Sequence, residues 1–83
     1  MDLTFIQKPA LRHLVAKCLD AKQANSYGVL STGERLAAAV VLNRFDWLQA
    51  MNYTMPEAID RIGPEWTALL REAERIIADT ATE

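Results

Sequence analysis

Apolar residues recur along this chain at helical spacing. Leu11, Leu14, Val15, Cys18 and Leu19 fall at i, i+3, i+4, i+7 and i+8. That pattern is one stripe down a helix over residues 8–24. Pro9 suits its first turn, where a missing N–H leaves nothing unpaired. Lys8, Arg12, His13, Lys17 and Lys22 lie away from the stripe, and Asn25-Ser26-Tyr27-Gly28 supplies turn residues.

The next segment has a different pattern. Leu36-Ala37-Ala38-Ala39-Val40-Val41-Leu42 is seven apolar residues in a row. At about 100° per residue the run travels almost twice around a helix. A helix that is apolar all round must be covered on every side, by its own fold or by a second copy of the chain. Ser31 with Glu34 three residues on forms a capping box, so a buried central helix is predicted over residues 32–44. Asn and Asp compete poorly in mid-helix, and Asp46 with Gln49 at its N3 position reads as a fresh N-cap. A break is therefore expected between Arg44 and Asp46.

Asn52 tolerates the left-handed conformation and predicts a helix stop. Thr54-Met55-Pro56-Glu57 is a second capping box with proline in the first turn. Met55, Ala58, Ile59 and Ile62 make the stripe of a short helix. Gly63-Pro64-Glu65 ends that helix and starts the last, whose stripe is Trp66, Leu69, Leu70, Ala73, Ile76 and Ile77. Arg71–Glu74 and Arg75–Asp79 are spaced to pair along it. Residues 1–7 read as an extended arm or tail that packs Phe5 or Ile6, with a short strand over residues 2–6 as the β alternative. Residues 80–83 are expected to fray. The fold class is all-α: one domain, residues 1–83, built as a compact bundle of four to five short helices around the central one.

Composition sharpens the picture. An 83-residue chain that is 51% hydrophobic can build one core, of modest stability. Covering a central helix in so short a chain favours a homodimer, in which a partner copy supplies missing cover. The apolar run is too short to span a bilayer, and no secretory signal opens the chain. One cysteine, Cys18, forms no internal disulfide. Together these point to the cytoplasm.

The net charge is −2 and unevenly spread. Residues 1–30 carry Lys8, Arg12, Lys17 and Lys22 against Asp2 and Asp20, while residues 31–83 carry five arginines against nine acids. An acidic protein has no general electrostatic pull toward DNA or anionic lipid. The first helix is amphipathic, but its polar face lacks the Lys/Arg density of a membrane-surface anchor.

Candidate chemistry is sparse. His13 and Cys18 point about 140° apart on a helix, so they make no dyad. Cys18 reads as a small buried hydrophobe and His13 as a solvated surface residue. Neither metal-ligand spacing nor a glycine-rich phosphate loop is present, so no catalytic, metal or cofactor residue is predicted. Ser31-Thr32-Gly33 at a helix start reads as a self-cap in preference to an anion site.

Trp47, Met51, Tyr53, Met55 and Trp66 cluster within a 20-residue window. Aromatic residues and methionine are enriched at interface cores, which makes these five the candidate interaction surface. The competing reading is that Trp47 and Trp66 fill the core. The expected function is non-enzymatic: a protein–protein interaction or accessory module acting on another protein or on itself. The alternative is a helix-turn-helix DNA-binding regulator using residues 46–62. Its recognition helix would carry Glu57 and Asp60 with Arg61 alone to offset them, which opposes binding to phosphate.

Overall fold

The boundaries of the helices follow from backbone chemistry that specific side chains supply. The computed structural model describes residues 3–28 and 30–81, and among these there are six helices and no strand. They are α1 Pro9–Ala24, α2 Thr32–Val41, α3 Phe45–Ala50, α4 Met55–Ile62, α5 Pro64–Thr67 and α6 Leu70–Ala81. Both capping boxes form. The Glu34 N–H donates to Ser31 Oγ (3.4 Å) and the Ser31 N–H donates to Glu34 Oε1 (3.0 Å). At α4 the Glu57 N–H donates to Thr54 Oγ1 (3.3 Å) and the Thr54 N–H to Glu57 Oε1 (3.0 Å). Each box satisfies two donors that a helix start leaves without intrahelical partners.

Three helices stop in the same way. Asn25, Asn43 and Asn52 each adopt positive φ (50°, 57° and 63°), Asn25 directly after α1 and the other two one residue beyond the ends of α2 and α3. After α2, the Arg44 N–H reaches back to the Ala39 carbonyl (2.7 Å) and the Asn43 N–H to the Val40 carbonyl (3.1 Å). This is the Schellman pattern, which needs one residue in the left-handed region. The same pair of bonds closes α1, from Ser26 to Ala21 and Asn25 to Lys22, and α3, from Tyr53 to Leu48 and Asn52 to Gln49. Asparagine is the non-glycine residue best suited to that conformation, because its short side chain bonds locally.

These stops correct the sequence reading in two places. The central helix ends at Val41, short of the expected residue 44, because Asn43 turns the chain out of it. Asp46 is not the N-cap of the following helix. That position belongs to Arg44, and Asp46 sits in the first turn of α3, where Arg44 Nε and Nη2 donate to its two carboxylate oxygens (3.0 and 2.9 Å). A third departure is the expected last helix, which divides at residues 68–69. There the Leu69 N–H bonds the Trp66 carbonyl in a tighter i→i+3 turn (2.9 Å), and α5 becomes a separate single turn. The bundle therefore has six helices where four to five were expected.

The central position of α2 is as predicted. Leu36, Ala37, Ala38, Ala39 and Val41 are buried, while Val40 and Leu42 are half-buried. α2 packs against α1, α3, α4 and α6. The three consecutive alanines let those helices approach closely on several sides, with Leu36, Leu14, Val15 and Cys18 filling the fully closed interior. Five of the seven positions in the apolar run are thus covered within one chain.

The arm docks through Ile6, which is buried, while its neighbour Phe5 points out. The Ile6 carbonyl accepts from both Arg12 Nε (3.0 Å) and Arg12 Nη2 (2.6 Å). Arg35 does the same for the loop before α2, donating to the carbonyls of Leu30 (2.7 Å) and Gly28 (3.2 Å). At the far end Thr80 is still helical, its Oγ1 donating to the Ile76 carbonyl (2.9 Å). The expected fraying of residues 80–83 does not begin there, and residues 82–83, like residues 1–2, lie outside the described ones.

Candidate interaction surface

The five residues singled out from the sequence are not one exposed patch. Trp47 is in the core, 6% exposed, with Tyr27 edge-on at 5.4 Å between ring centroids and the Arg44 guanidinium 4.3 Å above the ring. Met51, Tyr53, Met55 and Trp66 are half-buried against the core. Trp66 lies on α5, where its ring meets that of His13 at 5.6 Å. For Trp47 the alternative that it fills the core is the one the structure shows.

Among the described residues the large apolar side chains that are exposed are Phe5 (60%) and Phe45 (51%). Phe45 opens α3. It is three residues before the buried Leu48, a spacing that puts both on one helix face. Periodicity therefore does not predict its exposure, and the composition argument missed it.

Shortly before Phe45 in the chain, Leu42 and Arg44 line an open cleft of about 410 Å³ where the C-terminal ends of α1 and α2 meet the middle of α6. Its apolar lining comes from Val41, Leu42, Ile77 and Ala78, and Lys22, Asn25, Arg44 and Glu74 supply its polar groups. Arg44 is held in place on three sides: by Asp46, by the Trp47 ring, and by Asn25 Oδ1, to which its Nη1 donates (2.8 Å). The hydrogen bonds from Arg44 hold the Asp46 carboxyl below the usual carboxylate range. A floor of aliphatic carbon with a fixed guanidinium and an ammonium at its edge is suited to holding an apolar side chain flanked by polar backbone.

The remaining chemistry is structural. Burial pushes the Cys18 thiol up to about 12, so it stays protonated and unreactive at neutral pH. His13 is not simply solvated, as the sequence suggested: its Nε2 lies 3.0 Å from Glu34 Oε2. Glu34 is held low first by the Ser31 backbone N–H, and His13 adds to this. Among the described residues no three His, Cys, Asp or Glu side chains converge as a metal site, and no helix is long and apolar enough to cross a membrane.

The α3–α4 corner carries the features of the DNA-binding alternative in part only. Its two helices and tight turn exist, but the exposed positions of α4 are Pro56, Glu57, Asp60 and Arg61. The Glu57 carboxylate caps the end of α4 that would approach a phosphate, and the Thr54 backbone N–H keeps it ionised. Several basic groups are already committed elsewhere. Arg12 and Arg35 clamp loop carbonyls, Arg44 holds Asp46, Lys8 pairs with Glu72 (3.4 Å) and Arg71 with Glu74 (2.7 Å). Comparison of the chain with protein-family models, curated proteins and solved structures gives no match.

Proposed function

We propose that this chain is a non-enzymatic protein-interaction module, and that it docks its partner on Phe45 together with Leu42 and the cleft between the ends of α1 and α2 and the middle of α6. The observation that carries this reading is Phe45, a large aromatic side chain half exposed and next in the chain to Arg44 of an apolar-floored cleft. Exposing an aromatic ring costs solubility and gains nothing for the core, and such rings dominate the energetics of binding where they are buried by a partner.

The partner on this reading is another protein. The sequence argument for a homodimer was that α2 would need a second copy to cover it, and α2 is already covered by its own chain at five of seven positions. The test compares the wild type with Phe45→Glu and Leu42→Glu as affinity baits in extracts of the host cell, read by quantitative mass spectrometry. Circular dichroism first confirms that both variants stay folded. The reading expects a defined protein retained by the wild type and lost from both variants, while Phe5→Glu retains it. Identical retention by all four proteins overturns the assignment of the face.

A further inference from the structure

Lys22 and Arg44 both line the cleft between the ends of α1 and α2 and the middle of α6, and both keep hydrogen-bond donors that the chain does not use. Lys22 lies in the last turn of α1. Among the described residues its ammonium has no hydrogen bond or ion pair. Arg44 donates from Nε and Nη2 to Asp46 and from Nη1 to Asn25. Each terminal nitrogen of a guanidinium carries a second N–H, so Nη1 and Nη2 keep one donor each. Asn25 ties the two cations together: its Oδ1 accepts from Arg44, and its backbone N–H bonds the Lys22 carbonyl (3.2 Å).

We propose that the segment docked in this cleft carries a carboxylate beside its apolar anchor, so that the partner presents an acidic, apolar stretch of protein chain. This rests on the docking face described under Proposed function and names the chemistry of its occupant. Val41, Leu42, Ile77 and Ala78 receive the apolar side chain, and Lys22 with the spare Arg44 donors receives the carboxylate. With both partners ionised, such a bond adds a Coulomb attraction that a neutral backbone carbonyl does not supply. The acids closest to the two cations compete little. Glu74 lines the α6 wall, and its Oε1 accepts from Arg71 Nη1 (2.7 Å). The Asp46 carboxylate is taken up by Arg44. Asp20 is two residues from Lys22, a spacing that turns it from the same helix face, and it lines a second cleft that Lys22 also borders. The C-terminal ends of α1 and α2 carry partial negative charge, which favours the two cations where they stand. Backbone N–H groups beyond those ends already bond the carbonyls of Ala21, Lys22, Ala39 and Val40. What stays unmatched in the lining is the Lys22 ammonium with the outer edge of the Arg44 guanidinium.

The test titrates the isotope-labelled protein with short synthetic peptides blocked at both ends, followed by NMR on the backbone amides. Each peptide places a leucine between two flanking residues, which are glutamate in one, glutamine in the second and lysine in the third. The glutamate peptide is expected to move the amides of Lys22, Leu42, Phe45 and Ala78, and to bind about two- to fivefold more tightly than its glutamine twin, the effect of one exposed ion pair. The lysine peptide is expected to bind more weakly than either, and high salt to remove the differences. Lys22 is exposed, so Lys22→Gln should keep the fold by circular dichroism and bind the glutamate and glutamine peptides alike. Equal binding of those two peptides by the wild type, with movement at Leu42 and Phe45, overturns the carboxylate and leaves the docking face standing. A preference that survives in Lys22→Gln overturns the assignment of the cation. Movement at neither Leu42 nor Phe45 with any peptide overturns the carboxylate and the docking face together.

Discussion

Replacing Leu36 with alanine measures how completely the chain covers its central helix. Leu36 is fully buried on α2, between helices that also close on Ala37, Ala38 and Ala39. The substitution removes three carbons, and at about 0.8 kcal/mol for each buried methylene the lost transfer energy is roughly 2.4 kcal/mol. The cavity term adds to this. Alanines have no rotamers with which to fill a void, so the neighbouring positions on α2 cannot collapse into it, and the total rises to about 3–5 kcal/mol. At roughly 0.05–0.15 kcal/mol per residue, a chain of this length has about 4–12 kcal/mol of stability in all, so the loss is a large share of it. Each kcal/mol lowers the melting temperature of a domain this size by about 4–8 °C, so Tm falls by at least about 12 °C. Urea unfolding followed by circular dichroism gives the free energy directly. Val40→Ala is the internal control: Val40 is half-buried on the same helix, and its truncation is expected to cost under about 1 kcal/mol. Equal losses for the two variants would refute the reasoning, because they would mean that α2 is no better covered at Leu36 than at its partly open edge.

Asn43→Ala is expected to lose about 1–2 kcal/mol in urea unfolding, because it places a Cβ without local side-chain compensation at positive φ, whereas Asn43→Gly is expected to be neutral or slightly stabilising. Glu34 has a pH signature of its own. Its carboxyl is held low in the folded protein by the Ser31 N–H and, to a lesser degree, by His13. A carboxyl depressed on folding contributes stability that is present above its unfolded value, about 4.3, and is lost as pH falls through the lower folded value. The Tm difference between wild type and Glu34→Gln should therefore be present at neutral pH and shrink in acid. Cys18 should resist a thiol reagent in the native protein at pH 8 and react fully in urea, since burial holds the thiol near 12; rapid native labelling would contradict its place in the core.

What the sequence disclosed was local, and what it withheld was long-range. Capping boxes at Ser31 and Thr54 are readable because donor and acceptor lie three residues apart, and the structure forms both. Asn52 as a helix stop, and the break after the apolar run, follow from the same local chemistry. Asp46 was misplaced by two positions because Arg44, two residues earlier, takes its carboxylate. No reading of local pattern anticipates that choice. Periodicity also located the core stripes but left open whether Trp47 and Trp66 fill the core or an interface. Trp47 packs on Tyr27, and Trp66 on His13, partners separated from them by whole helices. The exposure of Phe45 was not legible, because its i, i+3 spacing to the buried Leu48 places both on one helix face. Nor was the pairing of His13 with Glu34 across 21 residues, since nothing in either helix alone sets the angle at which α1 meets α2.

The central claim is that one chain covers its own apolar helix and keeps its interaction face for a different protein. Light scattering after size exclusion, combined with thermal melts over a hundred-fold dilution, tests it most directly. The account predicts the mass of a single 9.3 kDa chain and a Tm that does not change with concentration. A stable dimer whose Tm falls on dilution would contradict it, because α2 would then depend on a second copy for its cover.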